Sequence, residues 1–173
     1  MNIDKRYWPM EGPVATTKVP IPTFHRAMWA AYRNSQPSKI EVDNTSTSGL
    51  WQNAAIDRQT GSFTCTFDMV PSAAKIDALA GLSKGDAEDF KDLATTIRFA
   101  PSGFIDARDG STYRAVTSVP YSAGVKYSVA LTVNTSARTY SATVKPAGGS
   151  AVVIAQNYRF RTEQSSTGEF TNV

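Results

Sequence analysis

A chain of 173 residues with 41% hydrophobic and 10% aromatic residues is long enough to bury a core, and too apolar to stay disordered throughout. Its net charge is only +3: residues 1–92 carry 10 Lys/Arg against 11 Asp/Glu, residues 93–173 carry 8 against 4, and neither half has a basic run. Nucleic-acid binding draws on a clustered basic face, and a membrane helix needs a long apolar stretch, so neither partner is expected.

Residues 1–24 read as an extended arm, with the sandwich domain assigned to 25–173. Pro9, Pro13, Pro20 and Pro22 remove backbone donors and push their predecessors toward extended conformations. The arm also carries Tyr7, Trp8, Met10, Val14, Val19, Ile21 and Phe24. A solvated tail has no use for so many large apolar groups, so the arm is expected to lie on a surface, its own or a neighbour's. The first residues hold no apolar stretch of signal-peptide length. Either the chain is used without that export route or a leader has been replaced by the initiator Met. Phe24 to Tyr32 places Met28, Trp29 and Tyr32 at helical spacing, and reads as a helical turn or a short strand. Residues 43–49, rich in Asp, Asn, Thr, Ser and Gly, read as a loop.

Beyond residue 60 the period becomes two. Phe63, Cys65, Phe67 and Met69 alternate with Ser62, Thr64, Thr66 and Asp68. A charged stretch, 83–92, interrupts the strands. Ile97–Phe99 and Phe104–Ala107 form short strands around Pro101-Ser102-Gly103. Asp109-Gly110 then reads as the centre of a type I′ hairpin turn, which needs positive φ at both central residues. Val125, Tyr127, Val129, Leu131 and Val133 alternate with polar or small residues, and Tyr140, Ala142 and Val144 repeat the pattern after a turn at 134–137. Pro146 to Gly149 turns again into Val152–Ala155. Short strands, polar turns and the lack of interposed helices predict an all-β fold: an antiparallel jelly-roll β-sandwich with an extended N-terminal arm.

Several stretches between residues 61 and 164 carry a family resemblance: Gly81-Leu82-Ser83, Ile97-Arg98-Phe99, Gly103 to Gly110, Val119 to Tyr127, Arg138 to Ser141 and Asn157 to Gln164. Together they resemble a concanavalin A-like (lectin or laminin-G-like) jelly-roll module of bacterial surface and glycan-associated proteins. The resemblance implies the fold more directly than it implies sugar binding.

Catalytic signals are sparse. His25 is the single histidine, no Gly-x-Ser-x-Gly elbow occurs, and no catalytic residue is assigned. A carboxylate pair could still serve a glycosidase or lyase, with Asp57, Asp68, Asp77, Asp106 and Asp109 as the available acids. The lone Cys65 excludes an intrachain disulfide and thiolate zinc clusters, and its place among phenylalanines suits a small buried hydrophobe. No metal ligands and no cofactor are assigned; a structural calcium is kept open at Asp106–Asp109 or Asp86–Asp89, without an EF-hand pattern. Sugar rings are held by exposed aromatics with hydrogen-bonding neighbours. That composition selects Trp51, Asn53, Arg108, Tyr113 and Tyr121, each of which also suits ordinary sandwich packing.

Two functions follow as expectations. One is a structural protein on a virion surface, such as a bacteriophage capsid decoration, which assembles through its N-terminal arm as a homo-oligomer or on a particle, with glycans as a further ligand class. The other is a carbohydrate-binding module of a secreted, extracellular bacterial protein.

Overall fold

The computed structural model describes residues 51–173. The assembly-arm residues Tyr7, Trp8, Met10, Val14, Val19, Ile21 and Phe24, the segment 24–32 with His25, and the loop 43–49 all lie outside the described residues.

Ten strands occur among the described residues: β1 (Ala55–Gln59), β2 (Ser62–Met69), β3 (Ala78–Ser83), β4 (Leu93–Phe99), β5 (Phe104–Asp109), β6 (Thr112–Pro120), β7 (Tyr127–Asn134), β8 (Thr139–Pro146), β9 (Val152–Arg159) and β10 (Phe170–Asn172). They form two antiparallel sheets, one of six strands in the order β1-β10-β3-β4-β5-β6 and one of four in the order β2-β7-β8-β9. The fold is therefore an all-β sandwich. The sequence reading recovered β2, β4, β5, β7, β8 and the first half of β9. It did not find β1, β3 or β10 as strands, because they are short or lack alternation.

Alternation explains the four-stranded sheet directly. Phe63, Cys65, Phe67 and Met69 of β2 face the core while their Ser, Thr and Asp neighbours face outward. The whole of β2 pairs with β7, from Ser62 opposite Asn134 to Met69 opposite Tyr127. On β7, Tyr127, Val129, Leu131 and Val133 are buried, and β8 adds Tyr140, Ala142 and Val144. A one-residue slip would turn each of these rows outward, so the pattern pins the register. Against them the six-stranded sheet sets Leu82, Ile97, Phe99, Ile105, Ala107 and Val119. Rings fill the ends of this core: Phe99 meets Tyr121 at 4.8 Å and Tyr127 at 5.5 Å, while Phe170 meets Phe160 at 5.5 Å and Phe63 at 5.8 Å.

The hairpin at Gly110 differs from the expected turn. Asp109 pairs with Thr112 as the last residue of its strand, so the two-residue loop is Gly110-Ser111. Gly110 has φ +57°, and Ser111 is not among the positive-φ residues. This is the pattern of a type II′ turn, with Gly at its first central position. The register moved because Asp109 is bound elsewhere: its carboxylate accepts the Arg159 N–H at 2.8 Å and a hydrogen bond from the Arg114 guanidinium. Burial opposes ionisation here, but those two donors together hold the Asp109 carboxyl below its usual range. A depressed folded-state value stabilises the fold above the ordinary carboxylate range, and that contribution is lost as pH falls through the folded value. Asp109→Ala is thus expected to cost about 1–3 kcal/mol at neutral pH and to shrink that difference below roughly pH 4. Denaturant melts of both proteins across that range check it; a pH-independent difference would contradict it.

Candidate functional site

On the outer face of the six-stranded sheet the ladder β4–β5–β6 gathers cations around one ring. Ile97 and Phe99 point to the core, so Arg98 between them points outward. The same logic, with buried Ile105 and Ala107, sends Asp106 and Arg108 outward. Register then places Arg98 opposite Asp106, and Arg108 opposite Tyr113. The Arg98 guanidinium lies 3.8 Å from the Tyr113 ring centroid and that of Arg108 lies 4.8 Å from it, inside cation–π range.

Arg98 is the compensated member of the cluster. It donates to Asp106 through Nε at 2.9 Å and Nη2 at 2.7 Å, a bidentate pair. The hydrogen bond to Asp106 is the main reason the guanidinium is held above its ordinary value. Arg108 instead donates Nε to the Gly110 carbonyl at 3.0 Å. Among the described residues no carboxylate pairs with it.

A third cation arrives from a distant stretch of chain. Residues 159–162 run between the β5–β6 hairpin tip and the start of β4, held by Gly110 N to Arg159 O at 3.2 Å, Thr162 N to Gly110 O at 3.2 Å and Arg161 N to Ala94 O at 2.9 Å. This brings the Arg161 guanidinium to 5.7 Å from the Tyr113 centroid and 5.2 Å from that of Phe90. Nη2 of Arg161 donates to the Tyr113 hydroxyl at 2.7 Å. Arg161 has 0% exposure, and its Nε and Nη1 have no hydrogen-bond partner. Phe90, which opens a 3₁₀ turn (Phe90–Asp92) capped by Asp89, is 43% exposed at the rim of the cluster.

Of the residues selected from sequence, Arg108 and Tyr113 are brought together here. Tyr121 is not at the surface: it is buried, with its hydroxyl 2.8 Å from the Ala100 carbonyl and 3.2 Å from that of Ile76, so its ring serves the core. The Asn53 amide is spent on the backbone of Ala87, donating at 3.0 Å and accepting at 2.7 Å. Trp51 lies exposed just ahead of β1, with no described contact to the cluster. Phe90, Arg98 and Arg161 were missed. The outward place of Arg98 was legible from its apolar neighbours, whereas nothing local marks Arg161 as buried.

The acids considered for calcium have protein partners. Asp106 and Asp109 are taken by arginines, Asp86 accepts from Asn172 at 2.7 Å, and Asp89 and Asp92 cap the 3₁₀ turn. Among the described residues, no group of three or more His, Cys, Asp or Glu side chains converges. Cys65 is half-buried on β2, and burial pushes its thiol up, away from the thiolate that reacts.

Two shallow depressions lie elsewhere. One, of about 340 Å³ on the outer face of the four-stranded sheet, is lined by Val116, Thr132, Ser141, Thr143, Val153 and Gln156, and has no ring to stack on a sugar. The other, also about 340 Å³, lies by Gly110, Arg138 and Arg159, where Arg138 already donates to the Thr135 and Thr167 carbonyls at 2.6 Å each. No protein-family model, curated protein or solved structure matches this chain.

Proposed function

We propose that this chain is a non-enzymatic structural and binding protein: a concanavalin A-like jelly roll on a particle surface, such as a phage capsid decoration. Residues 1–24 would anchor it, and the Arg108–Tyr113 face would hold a glycan. The observation that carries the reading is the cross-strand pair itself. Tyr113, half-buried, lies 4.8 Å from the Arg108 guanidinium, whose donors no described carboxylate takes, and a ring beside such donors is the combination that orients a sugar. The same face would serve the secreted carbohydrate module, so anchoring separates the two settings.

The test takes two variants. Deletion of residues 1–24 should abolish incorporation into particles while leaving a cooperative melt; unchanged incorporation would refute the anchoring role. Tyr113→Ala should weaken retention on a polysaccharide affinity gel by about tenfold, the order expected for a lost ring contact and its hydrogen bonds. Equal retention of the variant and the parent protein would remove this face as the glycan site.

A further inference from the structure

We infer that the Arg98–Arg108–Arg161–Tyr113 cluster is selective for an anionic saccharide, one whose sugar units carry carboxylate or sulfate. This rests on the glycan-binding reading above and adds the ligand's charge. Three guanidinium groups lie within 3.8, 4.8 and 5.7 Å of one ring centroid. Two carboxylates answer them, both at Arg98: Asp106, whose two oxygens it takes, and Asp77 at 3.7 Å. Arg108 and Arg161 are left without a described counter-charge, 4.8 and 5.7 Å from the same ring centroid.

Arg161 adds a buried, under-paired charge to this imbalance. A guanidinium has five N–H donors in a fixed plane, and its burial is unfavourable unless they are paired. Arg161 satisfies one of its three nitrogens, through Tyr113, while Nε and Nη1 stay buried and unpartnered. Cδ separates these two nitrogens, so no single fork spans them: each needs its own acceptor, and anionic oxygens offset the buried charge as well as pairing the N–H groups. Nor is the phenol free to supply the missing acceptor, since its oxygen already takes Nη2. The Phe90 ring lies 5.2 Å from the buried guanidinium and is itself 43% exposed, at the rim that a ligand would approach. Arg108 and Tyr113, half-exposed, then face the rest of the sugar.

The experiment compares retention and calorimetric binding of the full chain on heparin, polygalacturonate and neutral dextran. Sulfated or carboxylated polymer should bind at least about tenfold tighter than dextran, and more weakly as salt rises. Heparin and polygalacturonate separate sulfate from carboxylate. Arg161→Met should lose about tenfold or more on the preferred polymer without lowering Tm, because replacing a half-paired buried charge with an apolar chain relieves a burden on the fold. Arg108→Ala should lose a similar factor. Lys145→Ala, on an exposed position of the other sheet, should change nothing. Equal binding to dextran, or binding indifferent to Arg161 and Arg108, overturns the inference while leaving glycan binding intact. An equal loss with Lys145→Ala also overturns it, by showing diffuse attraction to polyanions. A folded protein retained on none of the polymers overturns glycan binding as well.

Discussion

Gly81→Ala is expected to lower stability by about 3 kcal/mol or more and Tm by roughly 10 °C, more than any surface substitution in this domain. Gly81 sits inside β3, opposite Thr96 of β4. A Cβ there would stand 1.8 Å from the Thr95 carbonyl oxygen, 2.9 Å from its carbonyl carbon and 3.2 Å from the Thr96 Cα. All three are backbone atoms of a buried strand, so no rotamer change relieves the overlap. Relief requires β3 and β4 to separate, which also breaks the bond from Leu82 N to the Thr95 hydroxyl at 3.1 Å. Glycine inside a strand normally weakens it; here it is required by close backbone approach. A thermal melt of the single variant decides the matter, and an unchanged Tm would show that the two strands tolerate more distance than their packing implies.

Tyr140 gives the second large effect, and a pH signature with it. Its ring is 1% exposed and meets Tyr158 edge-on at 6.3 Å. The hydroxyl reaches the Thr96 carbonyl at 3.1 Å and that of Arg108 at 2.5 Å. Those two residues lie just beyond the last β4–β5 pair, Ile97 with Ala107, so the phenol bridges the point where the strands part. Tyr140→Ala should cost about 3–5 kcal/mol through lost burial and cavity. Tyr140→Phe should cost about 1–3 kcal/mol, because buried carbonyls lose a donor.

Burial also pushes the Tyr140 phenol well above its ordinary value. The neutral form is favoured in the folded state. Stability is therefore unaffected below about pH 10 and falls above it, where the unfolded chain releases a proton that the fold retains. Tyr140→Phe should remove that part of the alkaline decline. Guanidinium melts from pH 8 to pH 11.5 test both points. A Phe variant with the same alkaline slope as the parent would assign the decline to other groups, Tyr158 first, since burial raises its phenol too.

How much of this was legible beforehand varies along the chain, for physical reasons. β2 and β7 each keep a period of two over eight residues, and both appear where the pattern places them. A half-buried strand has to alternate, so its face and register are written locally. β3 reads Ala-Leu-Ala-Gly-Leu-Ser and β10 is only three residues long. Their strand state comes from partners far away in sequence, and no local pattern carries that. Gly110 marked a hairpin correctly, yet the turn is set one residue later, because Asp109 is claimed by Arg159 and Arg114 across the structure.

The outer-face cluster divides in the same way. Arg108 and Tyr113 flank a recognisable turn, but the expected Asp109-Gly110 loop would set Arg108 opposite Ser111, and only the observed Gly110-Ser111 loop sets it opposite Tyr113. Tyr121 had the composition of a surface aromatic, but Phe99 and two backbone carbonyls hold it in the core. Arg161 gave no signal at all. Its burial depends on residues 159–162 being pinned between Gly110 and Ala94, contacts spanning dozens of residues.

The amino-acid order alone determined an all-β sandwich, through strand alternation and turn chemistry, which act over a few residues. The tertiary structure decided which polar side chains meet, because a cluster of three arginines, two rings and two acids is assembled by sheet register and by a returning segment. Alternation states that a side chain faces out; the neighbour it meets there depends on how distant strands align.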